Sequence, residues 1–316
     1  MMFSRLNLKN SIGMKLLKRL MLSCFSLITV LNASAQVSPA LTTDTIKIKV
    51  DSIRVNLDTV IVPVYEWKNL ADGIDLCEPS APRLSILGDS KLTIVKINPN
   101  KFDFELLTAT QYGKISRPVN EWADSFNLNV VINAGMYELS NGLINRGYMK
   151  SYDHHNNASF NPNYNSMIAL NPKDTTETKF TIMDLKCDTW EQVKSDYHCY
   201  SQGMRMIDCN GEALSWNKRN QSCSMLIAAK DAQGNIYYIF SRSPYTHNQM
   251  IGFMMDFPFE LTNAIYLEGG PETSLYVKVG DTVIERVGSY VSQTYPRDDN
   301  DHFWPLPNVI GLRVKQ

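Results

Sequence analysis

Hydrophobic residues along this chain recur with a period of two over most of its length. Ile46, Ile48 and Val50, then Val60, Val62 and Val64, alternate with polar neighbours, as half-buried strands or an extended leader do. Short apolar runs at 92–97 and 102–107, either side of Asn98-Pro99-Asn100, predict a hairpin. Further runs at 129–132, 167–170, 225–229, 236–240, 264–267, 274–279, 282–287 and 309–314 predict more strands. Asp231-Ala232-Gln233-Gly234-Asn235 joins two of them as a tight turn, with Gly supplying positive φ. Helical spacing takes over in two places. Residues 118–127 carry Trp122 and Phe126. After Thr246, an apolar face forms from Met250, Phe253, Met254 and Phe257, and Thr246 with Gln249 has the spacing of a capping box. Strands outnumber helices, so the expectation is an α+β fold: a strand-rich mixed sheet with a few packed helices, one domain over 65–316.

The first residues read as an address. Basic side chains end at Arg19, about a dozen mostly apolar residues follow, and Ala33-Ser34-Ala35 has the small-x-small pattern of a signal-peptidase site. The expectation is a signal peptide over 1–35 cleaved after Ala35, a leader or extended segment over 36–64, and a periplasmic or secreted mature protein. The apolar run falls short of the ~20 residues a spanning helix needs, and no transmembrane segment is expected in the mature chain. With 44% hydrophobic and 20% charged residues the composition is globular. Lys and Arg number 31 and Asp and Glu 32, and five basic residues with no acid lie in the first 35. The chain after Ala35 therefore has a net charge of −6, which gives it no general attraction for nucleic acid. Beyond Cys24 the chain has Cys77, Cys187, Cys199, Cys209 and Cys223. Outside the cytoplasm disulfides are plausible. Cys209 and Cys223 flank a Gly-containing turn and are expected to staple it, with Cys77 left as a free thiol. No Cys-x-x-Cys spacing supports zinc.

Three strand ends combine polar residues with glycine or a helix start. Asn133-Ala134-Gly135 offers an amide beside a residue that lets backbone approach a ligand. Ser241-Arg242-Ser243-Pro244-Tyr245-Thr246 sets a guanidinium and hydroxyls before a capped helix, an arrangement suited to anions. Glu268-Gly269-Gly270 ends an apolar strand on an acid that is costly to bury unless paired or used, and Glu272 nearby reads as solvated. Gln202-Gly203-Met204-Arg205 adds an amide and a guanidinium, with Arg205 expected to bind an anion or to pair with Glu268. His154-His155 sits in a polar loop, where adjacent side chains point apart. There is no nucleophile elbow, P-loop, His-Glu-x-x-His or dinucleotide fingerprint, so no motif calls for a cofactor or a metal.

Taken in order, these segments resemble the phosphodiester glycosidase family. The resemblance runs from Trp67-Lys68-Asn69-Leu70-Ala71-Asp72-Gly73-Ile74 through Val95-Lys96-Ile97-Asn98-Pro99, Val131-Ile132-Asn133-Ala134-Gly135-Met136-Tyr137, Gln202-Gly203-Met204-Arg205 and Ser241-Arg242-Ser243. It ends in Ala264-Ile265-Tyr266-Leu267-Glu268-Gly269-Gly270 and Ile310-Gly311. The chain departs from better-characterised members at its last motif, where Glu268 stands in place of Asp and Pro271-Glu272-Thr273-Ser274 follows. It looks like a bacterial branch.

The resemblance implies cleavage of a sugar-1-phosphodiester in a cell-envelope or host glycan. The expected catalytic set is Glu268 with Arg205 and Arg242. The expected substrate contacts are Asn133, Gly135, Gln202, Ser243, Thr246, Gly269 and Gly270, and the partner is a carbohydrate or glycosyl-phosphate. Two alternatives stay open. One is a glycosidase or lyase on an envelope polysaccharide, which requires a second carboxylate, with Asp256 and Glu272 nearest in sequence. The other is a non-catalytic glycan-binding module using the aromatic-containing polar loop 148–164.

Overall fold

The computed structural model describes residues 59–138, 140–216 and 220–314. The expected signal peptide and most of the expected leader, with its Ile46, Ile48 and Val50, lie outside the described residues. Within 59–64 the chain runs extended, with Val60, Val62 and Val64 exposed and the Ile61 N–H bonded to the Pro82 carbonyl (2.8 Å).

Strands form two sheets, labelled here in chain order. The larger sheet runs β1 (Lys68–Ala71), β2 (Ile74–Cys77), β3 (Thr93–Ile97), β12 (Ile236–Thr246), β11 (Ser222–Asp231), β13 (Leu261–Gly269), β10 (Tyr197–Ile207), β6 (Met149–Ser151) and β7 (His154–Asn157). β8 (Ser166–Pro172) also pairs with β10, and β9 (Phe180–Asp184) pairs with β8. The smaller sheet runs β15 (Thr282–Val287), β14 (Ser274–Val279), β5 (Val130–Asn133), β16 (Asn308–Arg313) and β4 (Asp103–Thr108). Helices are few: α1 (Val119–Phe126), α2 (Trp190–Val193) and α3 (His247–Met255).

Period-two alternation sorts the faces. In β11, Leu226 and Ala228 join the core between the sheets with Ile132, Leu275, Val277 and Ile310. Met225, Ile227 and Ala229 turn the other way, into a core completed by Met250, Ile251, Phe253 and Met254 around α3. On the far face of the smaller sheet, α1 inserts Trp122 beside Val131, Tyr276 and Val309. Each fully buried side chain of this kind contributes about 1.5–3 kcal/mol. The layers therefore run α1, smaller sheet, larger sheet, α3. Pro118 begins α1 and Asn127, at φ +53°, ends it. The capping box expected at Thr246 and Gln249 is formed.

The structure corrects four expectations. The architecture is mostly β, and the strand pairs of both sheets are antiparallel, not mixed. Short hairpins such as β11–β12, β14–β15 and β8–β9 connect antiparallel neighbours directly, whereas parallel pairs require long crossovers. The 92–97 and 102–107 runs are no hairpin. A 3-10 turn at Pro99–Lys101 separates them, and β3 pairs with β2 and β12 while β4 pairs with β16 in the other sheet. The strand expected to end at Phe240 continues to Thr246, because its ladder with β11 resumes at Tyr245 and Thr246. Cys209 is joined to Cys187, not to Cys223. Cys223, second in β11, turns into the α3-side core as a buried thiol, as does Cys77 in β2, while Cys199 is buried in the inter-sheet core.

Candidate active site

At the end of β13 the chain leaves the larger sheet and enters β14 of the smaller one through a single 3-10 turn, Gly270–Glu272. Gly270 adopts φ +81°, and a Cβ there would meet the Val291 side chain at 3.1 Å and lie 3.5 Å from Glu272 Oε2. Glycine is thus required for a turn this tight. The turn brings Glu268 and Glu272, both half-buried, to one place.

The end of β5 grips the same turn. Asn133 is buried, its Nδ2 donating to the Glu272 carbonyl (2.9 Å) and its Oδ1 accepting from the Ser274 N–H (2.8 Å). The chain then passes Gly135, at φ +150°, where a Cβ would lie 2.9 Å from Asn145 Oδ1. It doubles back so that Tyr137 bridges to Asn145 and the Arg146 N–H bonds the Met136 carbonyl (2.8 Å). This return places the Tyr137 hydroxyl 3.2 Å from Glu272 Oε1, to which it donates.

Burial pushes the Glu268 carboxyl up to about 8, and the charge of Glu272 adds to the shift. The Gly269 N–H, 3.0 Å from Glu268 Oε1, and the positive charge of Arg146 work against it. Burial also raises Glu272, while its own backbone N–H and the Tyr137 hydroxyl pull it back. Burial and then the two carboxylates hold the Tyr137 phenol far above its usual range, so it stays a donor. Two acids sharing a desolvated site cannot both ionise cheaply. Near neutral pH Glu268 is the acid that keeps its proton, and the Tyr137 hydrogen bond favours charge on Glu272 rather than on Glu268. Such a pair supplies one proton donor and one base.

The site residues expected from sequence divide by what holds their side chains. Glu268, Gly269, Gly270, Asn133 and Gly135 come together. Arg242 and Arg205 do not join them. A register shift in β13 breaks the alternation before Glu268, which pairs with Leu226 of the inter-sheet core, while a Cβ on Gly269 would meet Tyr266 and Cys223 of the α3-side core, so Glu268 points to the inter-sheet side. In β12, Tyr238 and Phe240 point to the inter-sheet side, and Arg242 follows them. Its guanidinium holds the carbonyls of Val287 (2.9 Å) and Asn300 (3.0 Å) and the Asp298 carboxylate (2.8 Å). Arg205 lies between Met204 and Met206, which face the α3 side, so its own side chain faces the inter-sheet side. It pairs with the buried Asp184, not Glu268, and that carboxylate also accepts the Cys209 N–H (3.1 Å).

Ser243 accepts from the Ser90 N–H (2.8 Å), and Thr246 caps α3. Gln202 faces the α3 side, and its amide is fully engaged. Nε2 donates to the Asn161 (3.0 Å) and Tyr164 (2.7 Å) carbonyls, and Oε1 accepts from the Tyr148 (2.9 Å) and Asn161 (3.0 Å) N–H groups.

Two residues of the site, Tyr137 and Arg146, were given no role from sequence, and Glu272 entered only as a possible second carboxylate for the polysaccharide alternative. Glu272 reads as solvated there, and the signal against that reading is its place on a Gly-Pro turn four residues after Glu268. Tyr137 lies inside the Asn133-Ala134-Gly135-Met136-Tyr137 segment without an assigned role. Arg146 has no local signal. It comes near Glu268 because the chain doubles back, bonding the Arg146 N–H to the Met136 carbonyl, and its charge then acts on that carboxyl. Among the described residues, the one His/Cys/Asp/Glu group with metal-like spacing is Asp184, Cys187 and Cys209, and both of its cysteines are in the disulfide.

Residues 126–313, more than half of the chain, match the phosphodiester glycosidase family, and the chain belongs to that family. The segments at 67–74 and 95–99, expected to carry part of the resemblance, lie outside the match. No curated protein matches the sequence. Among solved structures, a hypothetical protein from Synechocystis is similar at a TM-score of 0.53 and 15% identity, a likeness of fold. The alignment covers 80% of this chain and 64% of that one, so this chain spans less than two thirds of that protein's length. The catalytic domain of zebrafish N-acetylglucosamine-1-phosphodiester alpha-N-acetylglucosaminidase, auto-inhibited by its pro-peptide, aligns at a TM-score of 0.49 and 13% identity over 80% of this chain and 85% of that one. No helix among the described residues is long and apolar enough to cross a membrane.

Proposed function

We propose that the protein hydrolyses the glycosyl–phosphate bond of a sugar-1-phosphodiester at Glu268 and Glu272, and that it does so outside the cytoplasm after cleavage behind Ala35. The observation that carries the reading is the coupled carboxyl pair on the turn between the sheets, with a cation, Arg146, near enough to lower the Glu268 pKa.

Each group has a role in the reaction. Glu272, ionised and bonded by Tyr137, takes a proton from water as the water oxygen bonds to the anomeric carbon. The carbon–oxygen bond to phosphate breaks, its electron pair stays on oxygen, and Glu268 supplies the proton that oxygen takes up. The sugar passes through an oxocarbenium-like state that the Glu272 charge stabilises. A phosphate monoester, whose second pKa is ~6, needs little help to leave. Arg146 offsets the charge that builds on it. Asn133, Gly135, Gly269 and Gly270 shape the turn against which the sugar lies. In this reading Gln202, Arg205, Arg242, Ser243 and Thr246 are framework.

A carboxyl that keeps its proton at neutral pH also favours one alternative, cleavage of an ordinary glycosidic bond in an envelope polysaccharide, where the departing alcohol needs that proton. One panel separates the readings. Sugar-1-phosphodiesters and alkyl glycosides of the same sugars are incubated with the purified protein and sugar release is measured. Release from the diesters alone supports the proposal, and release from the alkyl glycosides alone supports the alternative. Binding without turnover, unchanged by Glu268→Gln, points to a glycan-binding module.

A further inference from the structure

Two of the groups at the acid pair come from one short ribbon. Between β5 and β6 the chain runs out through 136–138 and returns through 144–146. The Glu138 N–H bonds the Ile144 carbonyl (2.7 Å), the Arg146 N–H bonds the Met136 carbonyl (2.8 Å), and Tyr137 bridges to Asn145 between them. The ribbon sets the Tyr137 hydroxyl on Glu272 and the Arg146 charge near Glu268. Its bridge lies outside the strands of both sheets, and two short paired segments are only marginally stable by themselves. The ribbon therefore has to be held from elsewhere.

Its own bonding pattern shows where. Tyr137 and Asn145 are opposed without exchanging backbone hydrogen bonds, so the N–H and C=O of Asn145 point outward from the ribbon. Asn145 is fully buried, and buried backbone groups without partners are costly. Two side chains of β7 take the place of a third strand. Asn156 Oδ1 accepts the Asn145 N–H (2.8 Å), and Asn157 Nδ2 donates to the Asn145 carbonyl (2.8 Å). Asn156 Nδ2 also donates to the Leu143 carbonyl (2.8 Å) in the same loop.

Asn156 is itself fixed. It is buried, and its Nδ2 also meets Thr110 Oγ1 (3.0 Å), just past β4, and Asn308 Oδ1 (3.3 Å), the first residue of β16. Its two hydrogens are thus shared among three acceptors. The Asn308 carbonyl in turn accepts the Ala134 N–H (3.1 Å), where the chain leaves β5 for the ribbon. One buried amide joins the returning limb of the ribbon to the strand ends of the smaller sheet.

We infer that Asn156, aided by Asn157, is a positioning residue for the acid pair: it holds the 136–146 ribbon where Tyr137 meets Glu272. This rests on the reading of Glu268 and Glu272 as the reacting acids. The amides act through Tyr137 and not on substrate.

The test is a double-mutant cycle read by titration of the two carboxyls. Protein carrying carbon-13 in its glutamate side chains is titrated by NMR, with Glu268→Gln and Glu272→Gln assigning the signals, and no substrate is needed. In the wild-type background Tyr137→Phe should raise the lower of the pair's two midpoints by roughly one pH unit, because a hydrogen bond to a charged group is lost. In the Asn156→Ala background the same change should move it little, because the phenol has already left Glu272. Support of the fold alone would lower the melting temperature and leave the effect of Tyr137→Phe undiminished. An equal effect in both backgrounds, or no effect in the wild-type background, overturns the inference. Asn157→Ala removes only the bond to the Asn145 carbonyl and serves if Asn156→Ala does not fold. The Tyr137→Phe effect should then fall part of the way, and an undiminished effect again overturns the inference.

The cycle is repeated as kcat on a sugar-1-phosphodiester. Tyr137→Phe should cost roughly tenfold in the wild-type background and little in the Asn156→Ala background. Equal costs in both overturn the positioning role. A wild type that cleaves no diester counts against the proposed reaction alone, and the titration still decides the anchor.

Discussion

Tyr137 donates its phenolic hydrogen to Glu272 Oε1 across 3.2 Å, joining the loop after β5 to the turn after β13. The residues lie 135 positions apart in sequence. The contact exists because Asn133 clamps the Glu272–Ser274 backbone and so sets where both loops go. Tyr137→Phe removes the donor while leaving the ring. The Glu272 carboxylate then loses a stabilising partner, its pKa rises further, and less of it is ionised at neutral pH. A fall of roughly tenfold in turnover is expected with a melting temperature lower by several degrees, since one lost hydrogen bond to a charged group is worth about 1.5–3 kcal/mol. Undiminished turnover in this variant would show that Glu272 does not act as the charged partner.

Replacing either acid should nearly abolish the reaction. General acid–base groups contribute about 10²–10⁴ in rate, so Glu268→Gln and Glu272→Gln are each expected to lose at least 100-fold in kcat on a sugar-1-phosphodiester. The double variant is expected to lose little more, because the two groups act as a unit. A double loss equal to the product of the single losses would mean independent roles.

The raised Glu268 carboxyl makes stability depend on pH. Its pKa is about 8 in the folded chain against an ordinary 4.5. Between these values the folded state holds a proton that the unfolded state lacks. Stability from this source is complete below pH 4.5 and is lost as the pH rises through 8. The melting temperature of the wild type should fall between pH 5 and 9. Glu268→Gln should flatten that fall by several degrees, given about 2–4 °C per kcal/mol for a chain of this size. Thermal melts at pH 5, 7 and 9 measure it, and equal slopes in the two proteins would remove the shifted carboxyl from the account.

Three arginines are expected to separate by readout. Arg205→Ala strands the buried Asp184 carboxylate, and losing one partner of such a pair costs about 3–5 kcal/mol, seen as a lower melting temperature. Arg242→Ala frees the 287–300 segment and should also act through stability. Arg146→Ala should leave the melting temperature within a few degrees and raise KM for the phosphodiester. A stability loss at Arg146 as large as at Arg205 would place it in the framework instead.

The disulfide is a further check. Cys187 and Cys209 are 22 residues apart, a closed loop worth about 3 kcal/mol. Reduction, or the Cys187→Ser/Cys209→Ser pair, should lower the melting temperature by several degrees. Cys223→Ser should not mimic it, because that thiol closes no loop.

Much of the fold was legible one strand at a time. The alternation at 225–229, the turn at 231–235 and the capping box at Thr246 are local codes. Each relates residues close in sequence, and the structure keeps all three. The strand ends at Asn133 and Glu268 were legible for the same reason, since a polar residue beside glycine after an apolar run marks where backbone leaves a sheet. What was not legible is which strands pair and which way a side chain faces. Arg205 and Arg242 looked catalytic because guanidinium groups suit phosphate, yet each is taken up by another carboxylate, Asp184 and Asp298. Register shifts in the β10–β13, β11–β12 and β11–β13 pairings make the facing of a side chain uncountable without the ladder. Arg146, with no motif around it, comes near Glu268 only because the loop after β5 doubles back. Glu272 becomes a half-buried partner of Glu268 only because β14 belongs to the other sheet. The sequence by itself determined the elements and the chemistry available at their ends. The tertiary structure decided which of those groups share a desolvated space, because burial and the Coulombic coupling of two carboxyls depend on neighbours that are distant along the chain.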